Sequence, residues 1–197
     1  VQTVEQLVEV LGDENLATLD PGEVELLGLS AADAETLVEV GLPVEAGPLF
    51  TIDVVGEPGM LAALPMTSAD GEESLALFVG GPRDQPELRY FLDVRNGGVV
   101  LCSVDNERPQ YEVVNSSFAV FAEFLLRFAV YYEKESATVE EERLAIEELA
   151  LLLHERDPYS IRNAGTWWSK ILDRLRGATL EESWRRTGGV DVDVSPL

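Results

Sequence analysis

Apolar residues recur at helical spacing near both ends of the chain and at strand-like spacing between them. Val4, Leu7, Val8 and Leu11 share one face of a predicted helix over residues 3–11, with Glu5 and Glu9 elsewhere on the wheel. Asp20-Pro21-Gly22 and Gly28 punctuate residues 13–29, which predicts irregular turns there. Ser30 followed by Asp33 forms a capping signature for a helix through Leu37 to Val40, and Gly41 with Pro43 stops it. Leu49 to Val54 then reads as a first strand and residues 60–72 as a surface loop.

Four more extended runs follow, Ser74–Val79, Leu88–Val94, Val99–Val104 and Tyr111–Val114. Gly80-Gly81-Pro82, Asn96-Gly97-Gly98 and residues 105–109 separate the last three junctions. Links this short favour antiparallel hairpins over parallel crossovers. The period then becomes helical. Asn115 or Ser116 caps a helix with Phe118, Phe121, Leu125 and Phe128 on one face, and Thr138 with Glu141 opens a second that ends at Asp157-Pro158. A third carries Trp167, Trp168, Ile171, Leu172 and Leu175 up to Gly177, and Thr179 with Glu182 opens a last short one before the tail Val190–Val194. The prediction is an α+β fold over residues 1–197 as one domain: an antiparallel sheet of five or six strands flanked by N-terminal and C-terminal helices. No internal repeat interrupts it.

Composition changes this picture mainly through charge. Hydrophobic residues are 46% and charged residues 26%, ordinary for a globular chain of 197 residues, yet the net charge is −23. The first 82 residues hold 16 acids and no Lys or Arg, and the first base is Arg83. Tracking a phosphate backbone needs clustered cations, so direct nucleic acid binding and an anionic membrane surface are both disfavoured. Solubility alone accounts for such acidity as readily as attraction of a basic partner does. No apolar run reaches bilayer length and no basic-then-apolar leader opens the sequence, which predicts a cytoplasmic location. The single cysteine, Cys102, lies in an apolar run and is expected to be a buried, inert thiol.

Chemistry-bearing patterns are sparse. His154 stands alone near a helix end, where a solvated residue is expected, because a catalytic base needs positioned partners. One Cys and one His cannot close a zinc site, and the Gly turns lack phosphate-loop spacing. No catalytic, cofactor-binding or metal-binding residue is assigned, and no cofactor is expected. Glu140-Glu141-Glu142 suits the first turn of a helix. Trp167 and Trp168 point about 100° apart, so one is expected in the core and the other partly exposed.

Four stretches in order carry a resemblance. Gly41-Leu42-Pro43 leads to Gly47-Pro48-Leu49-Phe50; Asp93 to Val100 holds Gly97 and Gly98; Val114-Asn115-Ser116-Ser117-Phe118 opens a long helix; Asp157-Pro158 precedes Trp167-Trp168. Over residues 30–176 the chain resembles the SUKH superfamily, specifically its fourth, actinobacterial-type branch. The residues carrying the match are Gly41, Pro43, Phe50, Gly97, Gly98, Asn115, Phe118, Pro158 and Trp168, read as structural; residues 1–29 and a C-terminal extension, 177–197, match nothing distinctive. The resemblance implies a non-enzymatic immunity protein of a polymorphic toxin system. Such a protein binds a cognate toxin domain, often a nuclease or nucleic acid deaminase, and neutralises it. Joined to the charge, this predicts a toxin with a basic active-site cleft occluded by acids in loops beside the sheet: Glu57, Asp70, Glu72, Glu73, Asp84, Asp105 and Glu107. Ordinary solvated loop charges are the competing account of each. A regulatory scaffold for an endogenous protein is the rival function, and a metal-dependent hydrolase is disfavoured for want of motifs.

Overall fold

Helix starts along the first forty residues are set by side-chain caps. In the computed structural model, which describes residues 2–57, 59–67, 73–103, 110–134 and 138–186 (backbone alone at 66–67, 73 and 180–186), α1 spans Val4–Leu11. The Thr3 hydroxyl accepts from the Gln6 amide while the Gln6 side chain accepts from the Thr3 amide, so two orphan donors are satisfied reciprocally. Leu7 and Leu11 are buried, as the wheel predicts. Residues 13–29 are more regular than expected, with β1 at Leu16–Ala17 and α2 at Pro21–Leu26. Asp20 caps α2 by accepting from the Gly22 amide at 2.8 Å, and Pro21 occupies the first helical position, where its missing N–H costs nothing. A six-residue helix is too short a window for periodicity to register.

Ser30 caps α3, Ala31–Glu35, through the Asp33 amide at 3.1 Å. The helix then widens into a π turn over Thr36–Val40, closed by the Gly41 amide donating to the Thr36 carbonyl at 2.8 Å. Gly41 has φ +76°, and a Cβ there would lie 2.7 Å from the Ala17 carbonyl oxygen. Gly41→Ala is therefore expected to lose about 1–3 kcal/mol, read as a lowered urea midpoint at unchanged slope. The expected strand over 49–54 is mostly absent. Only β4, Phe50–Thr51, is extended, and it pairs with β3, Glu45–Ala46, while β2, Leu42–Pro43, pairs with β1.

Five strands make the main sheet: β5 Ala63–Thr67, β6 Glu73–Gly80, β7 Leu88–Asp93, β8 Val99–Ser103 and β9 Tyr111–Asn115. They are antiparallel in the order of the sequence. The loop expected over 60–72 thus contains a strand. Pro65 disguised it, because proline is excluded from central strands but tolerated at an edge, and β5 is the edge. Alternation divides the sheet into two faces. Leu77, Val79, Tyr90, Leu92, Val99, Leu101 and Val114 face inward and join the core. Across the outer face, cross-strand pairing aligns Phe78, Phe91, Val100 and Val113 in one row, and Arg89, Cys102 and Tyr111 in the next.

Two long helices, α4 and α6, pack on the inner face, and a third, α5, packs on them. α4, Phe118–Glu133, is capped by Ser117 accepting from the Val120 amide, one or two residues later than predicted. Asn115 and Ser116 are occupied elsewhere. α4 is buried nearly all round, because α1, β2 and β3 pack on one side and the sheet, reached through Phe121 against Tyr90 at 5.1 Å, on the other. α5, Val139–Arg156, starts at Thr138 and Glu141 as predicted and packs on α6, Trp167–Arg186. Gly177 does not end α6. It is exposed, and an exposed glycine costs a helix only about 1 kcal/mol. Thr179 opens no new helix either, since its hydroxyl donates to the Leu175 carbonyl. The tail 190–194 lies outside the described residues.

Candidate interaction surface

Two buried polar groups fasten the helices, the first to the sheet and the second to one another. Trp168, fully buried, donates its indole N–H to the Asn115 side-chain oxygen at 2.9 Å. Asp157, 4% exposed, accepts from the Ser116 amide at 3.0 Å, the Ser116 hydroxyl at 3.2 Å and the Asn115 side-chain nitrogen at 3.4 Å. The end of β9, the end of α5 and the start of α6 are thereby fastened at one point. In the second group Glu123 of α4 accepts from Arg127 and from Arg156, and Arg127 also donates to the Gln2 carbonyl. Both groups are internal architecture.

The residues of the family resemblance fall on that architecture. Phe50 packs on Tyr90 and Phe121, Phe118 begins α4 fully buried, and Pro43 pairs with Leu16. Gly97 and Gly98 turn β7 into β8, the Gly97 amide donating to the Asp93 carbonyl at 2.8 Å. Pro158 is exposed just beyond α5. Contrary to expectation both tryptophans are buried: α6 lies between two packed surfaces, so Trp167 meets Tyr90 while Trp168 stacks on Phe128. The Glu112 carboxylate also accepts from the Trp167 amide at 2.8 Å, which suits the positive end of a helix. Cys102 is half-buried on the outer sheet face, not fully buried, and that partial burial raises its thiol.

The acids proposed from the sequence are distributed unevenly. Asp70, Glu72, Asp105 and Glu107 lie outside the described residues, in the connections from β5 to β6 and from β8 to β9. Glu73 starts β6 and only its backbone is described. Glu57 is committed within the fold, because its carboxylate accepts from Arg89 at 3.0 Å and Arg89 is 7% exposed. Asp84 is exposed, 3.8 Å from Arg174. Tyr132 is pushed up to about 12 by burial, with the nearby Asp84 charge adding to the shift. On the outer face, Val113 and Tyr111 are 49% and 67% exposed. That end of the apolar row is open.

A second surface has no counterpart in the sequence reading. α1, α2 and the α3–π segment enclose a groove of about 900 Å³, lined in part by Glu5, Glu25, Glu35 and Glu39. Its walls come from segments up to 35 residues apart, which only tertiary packing brings together. Acidic charge in the first 82 residues was the one available signal. Among the described residues, no group of three His, Cys, Asp or Glu side chains is placed to hold a metal ion, and no helix is long and apolar enough to cross a membrane. His154 is exposed on the last turn of α5.

These features define an acidic α+β protein whose distinctive surfaces are a carboxylate-rimmed groove and a partly open sheet face. The model of the SUKH-4 immunity protein family matches residues 2–174. The chain belongs to that family, and the match takes in the N-terminal residues that the motifs alone left unassigned. No curated protein and no solved structure matches it. Membership points to a toxin-neutralising role, and the family is in general not one of enzymes.

Proposed function

We propose that this chain binds a cognate toxin domain with a basic active-site cleft, a nuclease or nucleic acid deaminase, and neutralises it by covering that cleft. The family supplies the toxin; the net charge of −23, with no base before Arg83, is the observation that supports a basic target. An anionic face competes directly with nucleic acid for such a cleft. Asp70, Glu72, Glu73, Asp84, Asp105 and Glu107, all in or beside the strand connections, are the proposed contacts. Glu57 is a weaker member, since using it means releasing Arg89. Interfaces of this kind bury about 1,600 Å² in total.

An immunity gene is expected beside that of its toxin, so co-expression with a toxin domain encoded in that neighbourhood tests the reading, with protection of a sensitive host as the expected result. Loss of viability despite a soluble, folded chain would count against it. With the purified pair, the association rate is expected to fall about tenfold or more between low salt and about 0.5 M, because screening shortens the reach of surface charge. A rate indifferent to ionic strength would reduce the acidity to a solubility device.

A further inference from the structure

Charge speeds an encounter, but a long-lived complex needs an apolar anchor. The groove between α1, α2 and α3 offers one. Val24, Leu29, Val38 and Val40 supply apolar lining, and the π turn contributes three consecutive lining residues, Val38, Glu39 and Val40. π turns are rare and recur at functional sites. Around this lining stand Glu5, Glu25, Glu35 and Glu39, all exposed. Among the described residues none of the four has an ion-pair partner.

We infer that this groove seats a basic amphipathic helix of the toxin, its apolar face on the valines and Leu29 and its Lys or Arg residues on the four glutamates. The inference rests on the immunity reading. Other occupants fit less well. A metal ion needs converging ligands, and the described carboxylates form no such group. A second copy of the chain would bring another net charge of −23. Nucleic acid has the wrong sign. A groove walled by helices and floored with aliphatic side chains matches the helix-in-groove mode, in which apolar residues at i, i+3, i+4 and i+7 anchor the partner. The sheet's outer face is a poorer candidate, because the charged groups on it, Arg89 and Asp93, are already hydrogen-bonded within the chain.

The probe is a synthetic Leu/Lys amphipathic peptide of about 18 residues, long enough to become helical on binding. It is titrated into the full ¹⁵N-labelled chain beside counterparts with Gln or Glu in place of Lys. Chemical-shift changes are expected to centre on residues 21–40, and the Glu peptide is expected not to bind. The triple variant E25Q/E35Q/E39Q should bind the Lys peptide about tenfold more weakly, the sum of three modest surface pairs. Val38→Ser, which leaves the charge untouched, should weaken it several-fold. Shifts scattered over the acidic surface, or Val38→Ser binding like wild type, would overturn the groove as the site. Both variants are then compared with wild type for affinity to the toxin domain against which the wild-type chain protects. Parallel losses support the inference, while wild-type affinity in both sinks it and leaves the immunity reading standing. If the wild-type chain gives no protection, the immunity reading fails and the peptide titration still decides whether the groove binds a basic helix.

Discussion

Replacing Trp168 with alanine is expected to lower the unfolding free energy by about 3–5 kcal/mol, visible as a large drop in the urea midpoint. The side chain is fully buried, stacked on Phe128 at 5.3 Å and set edge-on to Phe124 at 5.5 Å. Truncation removes that packing and leaves the Asn115 oxygen without its donor, itself a cost of about 1–3 kcal/mol for a buried acceptor. Domains of this size have about 5–15 kcal/mol in total, so the variant stands near the unfolding threshold. Trp168→Phe loses the N–H but keeps one aromatic ring, so it leaves a smaller cavity than alanine does, and the difference between the two losses reports on packing. A loss below about 1 kcal/mol for the alanine variant would contradict the docking of α6 described above.

Glu123→Ala is expected to be comparably damaging, by about 3–5 kcal/mol, although the residue looks on the page like an ordinary helical glutamate. Its partner Arg127 is only 5% exposed, so removing the carboxylate strands a buried guanidinium. Arg156 loses the same acceptor, but at 53% exposure it turns to water. The loss should therefore track Arg127. Combining Glu123→Leu with Arg127→Met, which removes both charges and keeps the volume, is expected to recover much of the stability in thermal unfolding. Equal losses in the single and double variants would place the damage in packing, not in the unpaired charge.

Elements announced by local chemistry were legible before any fold was known. Thr138 with Glu141 and Ser30 with Asp33 marked helix starts correctly, because a cap is decided within four residues. The hairpins from Glu73 to Asn115 were legible for the same reason, their turns being rich in Gly, Asn and Pro. What failed depended on position in the finished fold. Pro65 is a breaker in a central strand and harmless at an edge, and the sequence does not say which β5 is. Gly177 ends a marginal helix but not one anchored by Trp167, Trp168, Ile171 and Leu172 on buried surfaces. The two tryptophans shared neither face nor neighbour, yet both found a core. The candidate contacts divide in the same way: acids in strand connections could be nominated from the sequence, whereas a groove assembled from three separate helical segments could not.

Pro65 in β5 has one more implication. An outermost strand with a full set of free amides invites another chain to extend the sheet, and a stockpiled binding protein waiting for its target is exposed to that hazard continually. A missing donor midway along a five-residue strand makes the invitation poor. Idle copies are thereby discouraged from pairing along β5, and any partner at that edge has to be gripped by side chains instead of being stitched on as a sixth strand.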